Sequence, residues 1–71
     1  MLPDGVYDVI VVDAVDDDGV IRLELTLLAG EHKGEVVNLA SPNLSGDPTM
    51  MLGVPGTITV TEGRPALRLE S

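Results

Sequence analysis

From Val20 to Leu27 the chain alternates: Ile21, Leu23, Leu25 and Leu27 are apolar, and Arg22, Glu24 and Thr26 between them are polar. A period of two predicts a β-strand with one buried face. The segment before it reads differently. After Asp8, Val9, Ile10, Val11, Val12, Ala14 and Val15 put apolar side chains at both odd and even positions. Such a strand is covered on both faces, or bends so that its two halves face different ways. Between the two segments lies Asp18-Gly19, a strong hairpin signal. A two-residue turn there sets Asp17 opposite Val20, Ala14 opposite Leu23, Val12 opposite Leu25 and Ile10 opposite Leu27. It also sets Asp13 against Glu24, two like charges that destabilise the pairing unless Arg22 or a cation screens them.

Downstream, Gly30-Glu31-His32-Lys33-Gly34 connects the second strand to a third. With Ala29 facing Glu35, Leu27 pairs with Val37 and Leu25 with Leu39. Ser41 to Val54 then breaks the alternation with Pro42, Asn43, Gly46 and Pro48. Within it, Asp47 as N-cap, Pro48 at the first helical position and Gly53 as the stop predict a helix of one or two turns. A helix that short is unstable alone, so Met50, Met51 and Leu52 must pack on an open end of the sheet structure. Thr57 to Thr61 alternates, Glu62-Gly63-Arg64-Pro65 turns, and Ala66 to Glu70 alternates again. The predicted elements are strands at about 5–15, 20–29, 35–40, 56–61 and 66–70, with a short helix at about 48–52. Three strands, a helix and two strands is the plan of a five-stranded oligonucleotide/oligosaccharide-binding (OB) fold barrel. An SH3-like barrel is the alternative.

Composition narrows this picture. Seventy-one residues allow one domain near the lower size limit for an unassisted core. Cysteine is absent, so no disulfide or thiolate metal site can reinforce it, and a cytoplasmic setting is expected. Tyr7 is the only aromatic residue, leaving Val, Leu and Ile to fill the interior. Twelve acids against four bases give a formal charge of −8. That charge repels nucleic-acid phosphate and anionic lipid headgroups. No basic, apolar leader follows Met1, and no apolar run approaches the ~20 residues that span a bilayer.

Two resemblances rest on short motifs. Leu2-Pro3-Asp4-Gly5-Val6-Tyr7, with Gly30-Glu31-His32-Lys33-Gly34 after a leucine-rich strand, resembles small phage proteins of the single-strand-binding, OB-barrel type. The Gly-x-x-Lys-Gly-Glu-Val-Val run of Gly30 to Val37, followed by Asn38, resembles the extracytoplasmic barrel of YibE/F-type membrane proteins. Both imply a small β-barrel, and neither carries a function to this chain.

Candidate chemistry is sparse. Nucleophilic catalysis needs a hydroxyl beside a base, and the sole histidine, His32, lies in a turn far in sequence from Ser41 and Ser45. Asp13, Asp16, Asp17 and Asp18 lack the spacing of a calcium loop and its closing glutamate. Metal or ligand binding at that end is a lesser expectation, and no cofactor is expected. A single-strand nucleic-acid site, the usual use of this fold, would place Arg22, Glu24, Thr26, Val36 and Asn38 on the outer face, without a stacking aromatic. The face opposite the core offers more. In the registers above, Val9, Leu28 and Val36 form one row, and Val11, Thr26 and Asn38 the next. An aliphatic patch rimmed by acids suits a protein partner or self-association. The expected function is therefore that of a non-enzymatic acidic barrel working through protein contacts, as an adaptor or a homo-oligomer. Single-strand binding is the alternative.

Overall fold

A computed structural model describes residues 2–41 and 47–70; the expected punctuation at Pro42, Asn43 and Gly46 lies outside them. Five antiparallel strands, β1 (Gly5–Asp17), β2 (Val20–Leu27), β3 (Val36–Ser41), β4 (Pro55–Thr61) and β5 (Arg64–Leu69), form one sheet in the order β3-β2-β1-β4-β5. The sheet curls into an OB-like half-barrel. Because β4 returns to β1 instead of pairing with β3, the connection is of Greek-key type. That separates it from an SH3-like barrel, in which the third and fourth strands are neighbours.

The hairpin turns form where the sequence predicts them. Asp18 and Gly19 have φ of 55° and 87°, and Glu62 and Gly63 have 53° and 76°. Positive φ at both central residues is what a two-residue type I′ turn requires, and its twist matches that of the flanking strands. The second turn is tighter than expected: Thr61 pairs directly with Arg64, so Arg64 and Pro65 belong to β5.

β1 is the strand on which the barrel depends. Its first half, Gly5 to Ile10, pairs with β4, and Val9 to Asp17 pair with β2. At Val12 the register slips by one residue, so that Val11 faces Leu25 while Asp13 faces Glu24. This β-bulge explains the double apolar pattern. An inserted residue reverses the parity of the strand, so Val9 and Val11 point inward before it and Ala14 after it. The pairs Val12–Leu25 and Ile10–Leu27 expected from an unbroken ladder are replaced by Val11–Leu25 and Val9–Leu27. At the bend, β1 exchanges β4 for the loop that precedes it: the amide of Val11 donates to the carbonyl of Val54 at 3.1 Å, and the amide of Gly53 to the carbonyl of Val11 at 2.8 Å.

Val9, Val11, Leu23, Leu25, Leu27 and Ile58 are fully buried and make the centre of the core. Ile21, Val60 and Met51 complete it. Met51 belongs to a single 3-10 turn (Pro48–Met51) that packs against β1, capped by the Asp47 carboxylate, which accepts from the amide of Thr49 at 2.9 Å. The expected helix is thus one tight turn, with Met51 inserted and Met50 exposed.

β3 pairs with β2 two residues away from the expected register: Val37 faces Leu25 and Leu39 faces Leu23. The connection is wider than five residues. Its ladder closes with the amide of Leu27 donating to Glu35 and the amide of Gly34 to Leu27. A shift of two keeps every side chain on its expected face, so the inner surface survives the change.

Candidate functional site

The bulge reassigns the outer face. Val9 and Val11, expected there, are 0% and 1% exposed and belong to the core, so neither can meet a partner. Ile10 and Val12 stand in their place. Ile10 lies between Thr26 of β2 and Pro55 of β4, and Thr26 lies beside Val36. The outer surface therefore carries a row Val36–Thr26–Ile10–Pro55 across four strands. Val12, 47% exposed, stands at the bulge between this row and the next, which holds Asn38 and Glu24. Leu28, whose amide donates to the carbonyl of Asp8 at 2.9 Å, extends the surface at the base of the turn. Val36, 52% exposed, ends the row on β3. Thr26, Leu28, Val36 and Asn38 keep their expected outer face but not their expected rows: Thr26 stands beside Val36, Asn38 beside Glu24, and Leu28 against Asp8. Ile10 and Val12 were missed because the bulge that turns them outward leaves no mark in the sequence beyond the doubled apolar pattern.

The second feature is the seam of the half-barrel. Among the described residues no strand covers β3 or β5 on its outer edge, and the alternation of directions across the sheet makes these edges parallel to each other. Between them lies a groove of about 400 Å³. Ile58 and Val60 of β4 reach its floor, Val37 and Leu39 its β3 wall, and Leu2 and Pro65 its far side, with Glu35 at one end. The ladder fixes which main-chain groups face the seam. Leu27 bonds to Glu35 and Glu70 bonds to Pro55, so in the antiparallel alternation Val36, Asn38 and Ala40 of β3, and Pro65, Leu67 and Leu69 of β5, turn their N–H and C=O groups outward. The two edges differ in protection. β5 carries Arg64, Arg68 and a proline whose missing donor falls on the exposed side, all devices that discourage strand pairing. β3, Val-Val-Asn-Leu-Ala-Ser, has neither charge nor proline.

The remaining candidates are placed as follows. Asp17 Oδ2 pairs with Arg22 Nε at 2.8 Å, Asp16 accepts from the amide of Gly19 and Asp13 from that of Ala14. Asp13 keeps its position opposite Glu24. The three carboxylates thus serve the hairpin locally, and among the described residues no three carboxylate or imidazole groups converge on a common point. His32 sits in the β2–β3 turn with its Nδ1 against the Glu35 carboxylate. Tyr7 packs against the core and donates its hydroxyl to the carbonyl of Pro3. No helix among the described residues is long and apolar enough to cross a membrane. No protein-family model, curated protein or solved structure matches the chain.

Proposed function

We propose that this protein is a non-enzymatic acidic barrel that works through protein contacts, using the outer face of β1–β3. The observation that carries this reading is the row Val36–Thr26–Ile10–Pro55, four strands wide, flanked by Val12 and Leu28 and ending at an unprotected strand edge. Contiguous exposed aliphatics cost solubility, and soluble chains keep such surfaces chiefly where a partner covers them. The acids serve this use: with a charge of −8 the free barrel stays dispersed, and it is steered toward partners of opposite charge. The sole histidine supports a non-catalytic reading by its position, in a surface turn where its imidazole is engaged with Glu35 at the mouth of the groove and, among the described residues, no hydroxyl is bonded to it.

The test is light scattering combined with cross-linking in extracts, on the wild type and on Val12→Asp with Leu28→Asp. Both changes are at exposed positions and leave the core intact. Loss of a cross-linked partner or of self-association in the double variant, at unchanged melting temperature, is the expected result. A wild type that stays monomeric, and whose cross-linking pattern is identical to that of the variant, would refute the proposal.

A further inference from the structure

We infer that the seam between β3 and β5 is a receptor for one extended peptide strand, bound antiparallel to both edges, with alternate aliphatic residues and a basic C-terminal end. The inference rests on the protein-contact reading and names the mode of contact. Three observations carry it. First, β3 presents the N–H and C=O groups of Val36, Asn38 and Ala40 to the seam with no charge or proline to deter pairing, and strand addition draws its affinity from such main-chain groups. β5 contributes the groups of Leu67 and Leu69 and the carbonyl of Pro65, so the peptide is held chiefly by β3. Secondly, the groove behind the edge is lined by Ile58, Val60, Val37 and Leu39. Every second side chain of an added strand points into it, and the others point to solvent. Its volume of about 400 Å³ suits Val or Ile better than aromatic rings on successive inward positions.

Thirdly, the charge is asymmetric along the seam. Glu35 lines the groove where β3 begins. Asp4 lies at the same end, its carboxylate accepting from the amides of Glu62 and Gly63, and Gly63 itself lines the groove. β3 and β5 both start there, so an antiparallel guest brings its C-terminal end to these carboxylates. Arg64 begins β5 and Lys33 precedes β3 at this end, but Glu31, Glu35, Asp4 and Glu62 outnumber them, so a lysine or arginine there meets net opposite charge, and the overall −8 favours its approach. A second copy of this chain is the poorer guest. Each of its strands is held in its own sheet on at least one side and so does not enter the groove as a free strand, and it brings a further −8.

The experiment uses the full chain and terminally blocked peptides of eight residues. One alternates Val and Thr and ends in two lysines; a second has the lysines at its N-terminus; a third is the first with two central amides N-methylated. Labelled-peptide anisotropy and amide NMR shifts are the readouts. The expected result is binding of the first peptide about three- to tenfold tighter than the second, as one or two exposed ion pairs allow. The N-methylated peptide should not bind, and the amides of Val36, Asn38 and Ala40 should show the largest shifts. Asn38→Pro removes one outward N–H that the fold does not use; it should retain the wild-type melt and weaken binding. The N-methylated peptide decides the matter without it should that variant unfold. No binding at millimolar peptide, no preference between the two lysine positions, or shifts confined to other strands would overturn the inference. So would concentration-dependent self-association that moves the β3 amides, since the guest would then be a second copy. If Val12→Asp with Leu28→Asp abolishes partner contacts while no peptide binds, protein contact stands and strand insertion fails.

Discussion

The bulge at Val12 makes a sharp prediction about two neighbouring valines. Val11 is 1% exposed and faces Leu25, whereas Val12 is 47% exposed on the outer surface. Replacing Val11 with alanine removes two buried methyl groups, about 1.6 kcal/mol at ~0.8 kcal/mol each. A residual cavity beside Leu25 raises the cost to about 2 to 3 kcal/mol. Val12→Ala removes methyls already half in water and should cost about 0.5 kcal/mol, mainly through strand propensity. For a chain of this length total stability is about 4 to 10 kcal/mol, so the first change consumes a large share of it. A domain of this size loses roughly 4 to 8 °C in Tm per kcal/mol. Val11→Ala should therefore melt about 10 to 20 °C below the wild type and Val12→Ala within about 4 °C of it. Urea titration followed by circular dichroism gives both ΔG values with a common slope. Equal losses, or a larger loss for Val12→Ala, would refute the parity reversal and with it the outer row Val36–Thr26–Ile10–Pro55.

Two further predictions concern the β4–β5 hairpin. A Cβ added at Gly56 would stand 2.8 Å from the carbonyl oxygen of Arg68 and 2.9 Å from Leu69 Cδ2, so Gly56→Ala should push β5 away from β4 and cost about 1 to 3 kcal/mol, read as a lower urea midpoint. Asp4→Ala deletes the carboxylate that holds the amides of Glu62 and Gly63 at 2.9 and 3.1 Å. It should lower stability by about 1 kcal/mol and speed amide exchange at those two positions before any other; uniform exchange rates would sink that expectation.

Much of the fold was legible because its signals are local. Asp18-Gly19 names its turn, Glu62-Gly63-Arg64-Pro65 marks the other, two residues too wide, and the alternation of Ile21 to Leu27 fixes which face of β2 is inward. The capping of the 3-10 turn by Asp47 and Pro48 is likewise read from adjacent residues. The pairing of β3 was displaced by two residues because the β2–β3 connection closes at Leu27 and Glu35 instead of Ala29 and Glu35. Loop closure depends on how the turn packs, which alternation does not encode. The face survived since two is the strand period. Val9 and Val11 were misplaced for the opposite reason: one extra residue in β1 reverses parity, and the choice between a flat two-sided strand and a bent one is made by β4 and Val54, some 45 residues away. The seam was invisible for the same kind of reason. Each edge looks like an ordinary alternating strand, and only the curl of the sheet decides whether β3 and β5 meet.

The division of β1 between two partners also sets an order of events. Val9 to Asp17 find β2 across a turn of two residues, and β3 follows across a short connection, so this three-stranded unit can assemble from local contacts. Gly5 to Ile10 must wait for Pro55 to Val60, and the tie from Asp4 to Glu62 spans 58 residues. Loop-closure entropy for that step is met before its contacts reward it, which places the chain among the slower small folders, in the millisecond-to-second range. Until β4 docks, one edge of β1 and the lower half of the core stand open to water. The interval in which this small acidic protein is most exposed to mispairing is therefore set by the arrival of its fourth strand, and its surplus of carboxylates keeps separate chains apart while it waits.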